Sequence, residues 1–140
     1  HDQERVHHML KIVDKGARSN LPFSPAIVAG DLVFVSGQAS VDREDGHIIN
    51  GTFEGEMRRS IENMEVILRA EGLSLDHVIN VRCYLGSPDD VAEHNRIYAE
   101  YFSEPRPTRT TITGVLGTML KYELDCVAYA PTRRQDAARS

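Results

Sequence analysis

The sequence predicts an α+β domain: a mixed β-sheet with two helices packed on one face. Three observations predict it. Short alternating or apolar segments recur between Gly, Pro, Asn and Asp residues; two longer stretches carry apolar residues at spacings of three and four; and the order is strand, strand, helix, strand, helix, strand, strand. A length of 140 residues suits one domain. Two helices of about four turns can cover only one face of such a sheet. The other face is left with apolar side chains such as Val127 and Tyr129, so oligomerisation is expected.

Residues 1–20 are polar, carry three of the six histidines and show no clear period, and they read as a flexible N-terminal arm. Residues 21–131 read as the single domain and 132–140 as a tail. Ala26-Ile27-Val28 and Leu32-Val33-Phe34-Val35-Ser36 form two strands joined by a tight turn at Gly30. A turn at Asp42–Gly46 leads to Ile48-Ile49, which can pair with a neighbour. Over residues 53–71, Met57, Ile61, Met64 and Ile67-Leu68 form one helical stripe, and Gly72 is the expected stop. Val81, Cys83 and Leu85 then face one way along a strand, Arg82 and Tyr84 the other. Ser87 as N-cap, Pro88 and Asp89-Asp90 mark the next helix start. Val91, Asn95, Tyr98 and Phe102 run along that helix, which ends at Pro105 and Pro107. Thr-rich 109–115 and alternating 121–130 are the last two strands, and Pro131 stops the second.

The net charge of −5 argues against a non-specific nucleic-acid binder, which needs clustered cations. Arg133, Arg134 and Arg139 form a solvated terminus rather than a binding arm. No apolar run is long enough to cross a bilayer, the first residues lack a secretory core, and a cytoplasmic protein is the default. Cys83 and Cys126 are too few for a disulfide framework and read as buried thiols. His47, His77 and His94 match no metal-ligand spacing and read as solvated or locally capping, as do His1, His7 and His8. No metal site and no cofactor motif is expected: phosphate loop, GxGxxG, CxxC pair, HExxH and GxSxG are all missing from the sequence.

Four ordered blocks carry a resemblance. They are Val33-Phe34-Val35-Ser36-Gly37-Gln38, Asn95-Arg96-Ile97-Tyr98-Ala99-Glu100-Tyr101-Phe102, Pro107-Thr108-Arg109-Thr110-Thr111, and Tyr122-Glu123-Leu124-Asp125-Cys126-Val127-Ala128. Together they resemble the Rid (reactive intermediate deaminase, RidA/YjgF-like) family from about Leu21 to Ala130. The resemblance implies a chorismate-mutase-like fold in which three subunits pack their sheets into a central barrel. It implies a homotrimer with pockets between adjacent subunits, and no cofactor. The implied activity is hydrolysis of 2-aminoacrylate-type enamines and imines to 2-oxo acids and ammonia.

By the same resemblance Arg109 matches the arginine that binds the substrate carboxylate. A guanidinium suits that task because it can donate two parallel hydrogen bonds. Glu123 matches the acid that orients water and moves protons. Ser36 and Gly37 either line the cleft or simply end a strand; Asn95 either bonds across the interface or satisfies nearby backbone. Three positions depart from the family pattern. Phe23 stands where many members carry Tyr, Thr111 replaces a common Cys, and the stretch 114–120 lacks the usual Leu-Pro pair and is one residue short. Those changes leave a second reading open, a trimeric carboxylate binder without turnover. A third, a ribonuclease or translation inhibitor, is opposed by the acidic balance.

Overall fold

The computed structural model describes residues 6–131. One six-stranded sheet carries two long helices. The strands are β1 (Leu10–Val13), β2 (Ala26–Ala29), β3 (Leu32–Ala39), β4 (Val78–Leu85), β5 (Thr108–Thr113) and β6 (Tyr122–Tyr129); the helices are α1 (Phe53–Ala70) and α2 (Val91–Tyr101). The sheet order is β1-β2-β3-β6-β4-β5, with β4 and β5 parallel and every other neighbour antiparallel. The mixed sheet and the element order match the sequence expectation from β2 onward.

β1 is the correction. The N-terminal arm expected over residues 1–20 contains a strand that pairs Leu10–Val13 with β2, burying Val13 against the core. Four residues are too few to show an alternation. Beyond it, Gly16 adopts φ +96° and sits where a Cβ would come within 2.6 Å of Ile67 Cγ1, so a side chain there would force this segment off the helix. The folded unit thus begins before residue 21. Residues 1–5 and 132–140, including Arg133, Arg134 and Arg139, lie outside the described residues.

α1 starts where Thr52 Oγ1 accepts from Gly55 N–H and ends at Gly72 in the left-handed region, φ +73°. Its buried stripe of Phe53, Met57, Ile61, Met64, Ile67 and Leu68 packs on the sheet residues Val33, Val35, Leu124 and Cys126. The polar side chains buried in the same helix are all bonded. Glu56 accepts from Gly51 N–H, Lys121 N–H and the Lys121 ammonium; Ser60 donates to Glu56 O; Asn63 donates to Ala39 O and Val41 O.

The Ser87-Pro88 signal caps a 3₁₀ turn, Pro88–Asp90, that runs into α2 one turn later. Along α2 the buried residues are His94, Ile97 and Tyr98, while Asn95 is exposed. The expected stripe was therefore right at Tyr98 and Phe102 and wrong at Asn95. The helix buries a histidine instead, so His94 is neither solvated nor capping. His77, by contrast, does cap: its Nδ1 accepts from Ser74 N–H. Both thiols are buried and free, and burial pushes Cys83 up to about 11 and Cys126 to about 12, which keeps them unreactive.

Alternation along β6 divides the sheet. Tyr122, Leu124, Cys126 and Ala128 face the helices and are buried; Glu123, Asp125, Val127 and Tyr129 face the other way. Phe34, paired with Val127, is 46% exposed, and Tyr129 is 43% exposed. One face of the sheet is bare, as the count of helices requires.

Candidate active site

Glu123 sits on the bare face. The β3–β6 register slips between Val35 and Gln38, so Ser36 and Gly37 occupy an irregularity inside β3 rather than the end of a strand. Gly37 then lies so close to Glu123 that a Cβ there would be 3.1 Å from both Cδ and Oε1. Glycine at this position is what makes room for the carboxylate. Ser36 is committed differently: its hydroxyl donates to Ser24 O at 2.5 Å and its N–H to Pro25 O. It ties β3 to the segment that bears Phe23, so its role here is to hold the wall.

Phe23, Gly37, Gln38, Tyr84, Glu123 and Asp125 line one groove of about 960 Å³. Tyr84 lies directly across from Glu123 in the β4–β6 register. Its hydroxyl donates to Asp125 Oδ2 at 2.9 Å, and Arg82 Nε donates to Asp125 Oδ1 at 2.9 Å. Asp125 is thereby held in place beside Glu123. Partial burial, with Asp125 adding to it, raises the proton affinity of Glu123 above the ordinary carboxylate range. Tyr84 and Asp125 were not singled out from the sequence. Asp125 was legible, since it is two residues from Glu123 on one strand; Tyr84 required the register.

Arg109 is elsewhere. In the parallel β4–β5 register it pairs with Val81, whose side chain faces the helices, so Arg109 lies on the opposite face of the sheet from Glu123. The ring of Tyr98 on α2 supports it, with the guanidinium carbon 4.8 Å from the ring centroid. No carboxylate among the described residues pairs with it within 4.0 Å, and the side chain is exposed. Thr111 lies on the same side two residues on, its Oγ1 buried without a partner. The structure thus splits the expected site residues. Phe23, Gly37 and Glu123 gather at one end of the bare face. Arg109 and Thr111 lie at the helix-side edge, and Asn95 is on the outer surface of α2.

A separate cluster on the β-turn, Asp42, Asp45 and His47, brings ligand-type atoms within 4.8 Å of one another. Its carboxylates are used locally: Asp42 Oδ1 accepts from Glu44 and Asp45 N–H, and Asp45 Oδ1 from His47 N–H. These bonds shape the turn.

The architecture is that of a small α+β domain whose sheet is half covered and whose charged side chains of interest lie at its open face and free edge. Its sequence matches the family described as Endoribonuclease L-PSP over residues 15–130, and the chain belongs to this family, also known as the Rid or YjgF/RidA family. A RutC family protein of Pyrococcus horikoshii is 38% identical over 109 residues, covering 77% of this chain and 86% of that one. Reactive Intermediate Deaminase A, chloroplastic, of Arabidopsis thaliana is 34% identical over 108 residues, covering 76% of this chain and 58% of that protein. Among solved structures, E. coli TdcF with bound serine superposes with a TM-score of 0.75 at 28% identity, covering 85% of this chain and 98% of that chain. No described helix is long and apolar enough to cross a membrane.

Proposed function

We propose that the chain hydrolyses 2-imino acids, and the enamines of the 2-aminoacrylate type that tautomerise to them, to 2-oxo acids and ammonia. The site lies between two copies of the chain in a homotrimer. One observation carries this reading: Arg109 and Glu123 project from opposite faces of one sheet, so a single copy cannot bring both to one small substrate. A second copy packed on the bare face brings its Arg109 edge to the Glu123 groove. The unpaired guanidinium and the half-buried carboxylate are then complementary halves.

The chemistry suits those halves. Arg109 takes the substrate carboxylate with two charge-assisted hydrogen bonds. The C2 carbon of a protonated imine is electrophilic, so water needs only to be aligned and relieved of a proton. Glu123 accepts that proton as the water oxygen bonds to C2. It then returns a proton to nitrogen; as the C–N bond breaks and ammonia leaves, the hydroxyl proton passes back to the Glu123 carboxylate and the C2–O bond becomes a carbonyl. The raised proton affinity of Glu123, which comes from partial burial and the neighbouring Asp125, favours holding a proton and so suits a group that must both take and give one. No resident cofactor is needed for this sequence. The Arabidopsis relative is named a deaminase of reactive intermediates, and the E. coli relative binds serine, a 2-amino carboxylate. An endoribonuclease activity, which the family description suggests, finds little support in a groove lined by Glu123 and Asp125 in a chain of net charge −5.

The test is a panel of amino-acid oxidase substrates that generate imines in situ, with ammonia and 2-oxo acid followed with and without the protein. Acceleration by the wild type that is lost in Arg109→Ala supports the assignment. No acceleration across the panel refutes it.

A further inference from the structure

His94 lies on the first turn of α2, fully buried, and neither of its imidazole nitrogens has a hydrogen-bond partner. The buried hydroxyls of Tyr98 and Thr111 are likewise unpartnered, and these four atoms complete the set of such side-chain atoms among the described residues. They are not scattered. The His94 ring lies 5.7 Å from that of Tyr98 and 5.4 Å from that of Tyr122. The Tyr122 hydroxyl donates to Cys83 Sγ at 3.4 Å, and Cys83 is the register partner of Thr111 on β5. Two residues back along β5 is Arg109, whose guanidinium rests on the Tyr98 ring. Ring contacts join His94 to Tyr98 and Tyr122, the β4–β5 register sets Thr111 beside Cys83, and Arg109 rests on the Tyr98 ring at the edge of this group.

This pattern sets α2 apart from α1, where buried Glu56, Ser60 and Asn63 are all bonded. An unpaired polar atom in a core is costly, and an apolar side chain of similar volume at position 94 would pack between Tyr98 and Tyr122 without that cost. Local rules broken in this way concentrate where function requires it.

We propose that His94 is a positioning residue for Arg109: with the Tyr98 and Thr111 hydroxyls it binds an internal water that fixes the Tyr98 ring and hence the direction of the guanidinium. The inference rests on the reading of Arg109 as carboxylate anchor. The donor count supports it. A neutral imidazole offers one N–H and one acceptor, each hydroxyl offers both, and one water can join three such groups. Burial, with the Arg109 cation adding to it, holds His94 down to about 4, so the ring is neutral and does not repel the guanidinium.

The experiment compares full-length wild type, His94→Leu, His94→Gln and Arg109→Ala, measuring imine hydrolysis, calorimetric binding of pyruvate, and thermal melting. His94→Leu is expected to melt at or above the wild-type temperature, with KM and the pyruvate Kd both raised about tenfold or more and kcat changed by less than about threefold. His94→Gln, which keeps a donor and an acceptor, is expected to recover most of the loss. Wild-type KM and pyruvate affinity in His94→Leu overturn the proposal, as does a fall in kcat with KM unchanged. Should His94→Leu not fold, Tyr98→Phe removes only the hydroxyl and is expected to raise KM likewise; an unchanged KM there overturns it. If Arg109→Ala binds pyruvate as well as wild type, the carboxylate reading itself fails and the positioning role falls with it. That outcome shows in the Arg109 arm and cannot be mistaken for a failure confined to His94.

Discussion

Two inactive variants mixed together should regain activity. Arg109 lies on the helix side of β5 and Glu123 on the bare side of β6, so in the proposed assembly each cleft takes its arginine from one copy and its glutamate from the next. Arg109→Ala removes two charge-assisted hydrogen bonds, each about 1.5–3 kcal/mol, which is at least a hundredfold in kcat/KM. Glu123→Gln removes proton exchange and costs about 10²- to 10⁴-fold. In trimers assembled at random from equal amounts of the two variants, a cleft receives its native arginine with probability about one half and its native glutamate with probability about one half. About a quarter of clefts are then native and another quarter lack both residues. Co-expression with two affinity tags and tandem purification yields the mixed species, and native mass spectrometry confirms their composition. Every mixed trimer then has one native cleft in three, so ammonia release should return to about a third of the wild-type rate, against about 1% or less for either parent. A mixed trimer no more active than its parents refutes the shared cleft.

Other consequences follow from the same geometry. Light scattering coupled to size exclusion should give about three times the 15.7 kDa chain mass, and a stable monomer would contradict the inter-copy site. Gly37→Ala places a Cβ 3.1 Å from the Glu123 carboxylate, and Gly37 has no left-handed backbone to strain; hydrolysis should fall about 10- to 100-fold with little change in melting temperature. The proton affinity of Glu123 is raised in the folded state, so its contribution to stability is present at low pH and lost as pH rises above the ordinary carboxylate range; Glu123→Gln should gain stability relative to wild type through that window, and parallel melting curves would argue against it. His94 has the opposite sign. Its folded value of about 4 against an ordinary value of about 6.5 means stability that is lost as pH falls through that interval, on the order of 3 kcal/mol, and His94→Leu should flatten acid denaturation there. Glu56→Ala frees two backbone donors and the Lys121 ammonium, and denaturant titration should show a loss of roughly 2–4 kcal/mol.

Where the sequence was informative, the reason is periodicity acting over many residues. The α1 stripe from Phe53 to Leu68 and the β6 alternation from Tyr122 to Ala128 each repeat often enough to fix a face. β1 was missed because its four residues lie in an otherwise polar stretch without the turn signal that marks β2 and β3, and its pairing with β2 is specified from across the chain. On α2 the stripe went astray because hydrophobicity alone assigns His94 to the surface, yet its ring is buried between Tyr98 and Tyr122. The candidate residues were legible one by one and not as an arrangement. Glu123 and Arg109 could each be named from a block, but the parallel β4–β5 register that puts them on different faces is a tertiary fact.

That register also explains why the two departures Phe23 and Thr111 need not act together. Phe23 lies in the Glu123 groove and Thr111 beside Arg109 on the other face, so within one chain they are as separated as the residues they flank. The hydroxyl that Phe23 lacks has a neighbour in the same groove: Tyr84, directly across from Glu123 and bonded to Asp125. Thr111 buries its hydroxyl two residues along β5 from Arg109, and His94 packs against the Tyr98 ring that supports the guanidinium. Each change of side chain therefore falls in a half-site that carries a further polar group of its own. The Glu123 half holds a titratable carboxylate between a glycine and an ion-paired aspartate; the Arg109 half holds a cation on an aromatic ring above unpartnered polar atoms. In the proposed assembly each half needs the other, and the bare sheet face is the surface on which a second copy supplies it.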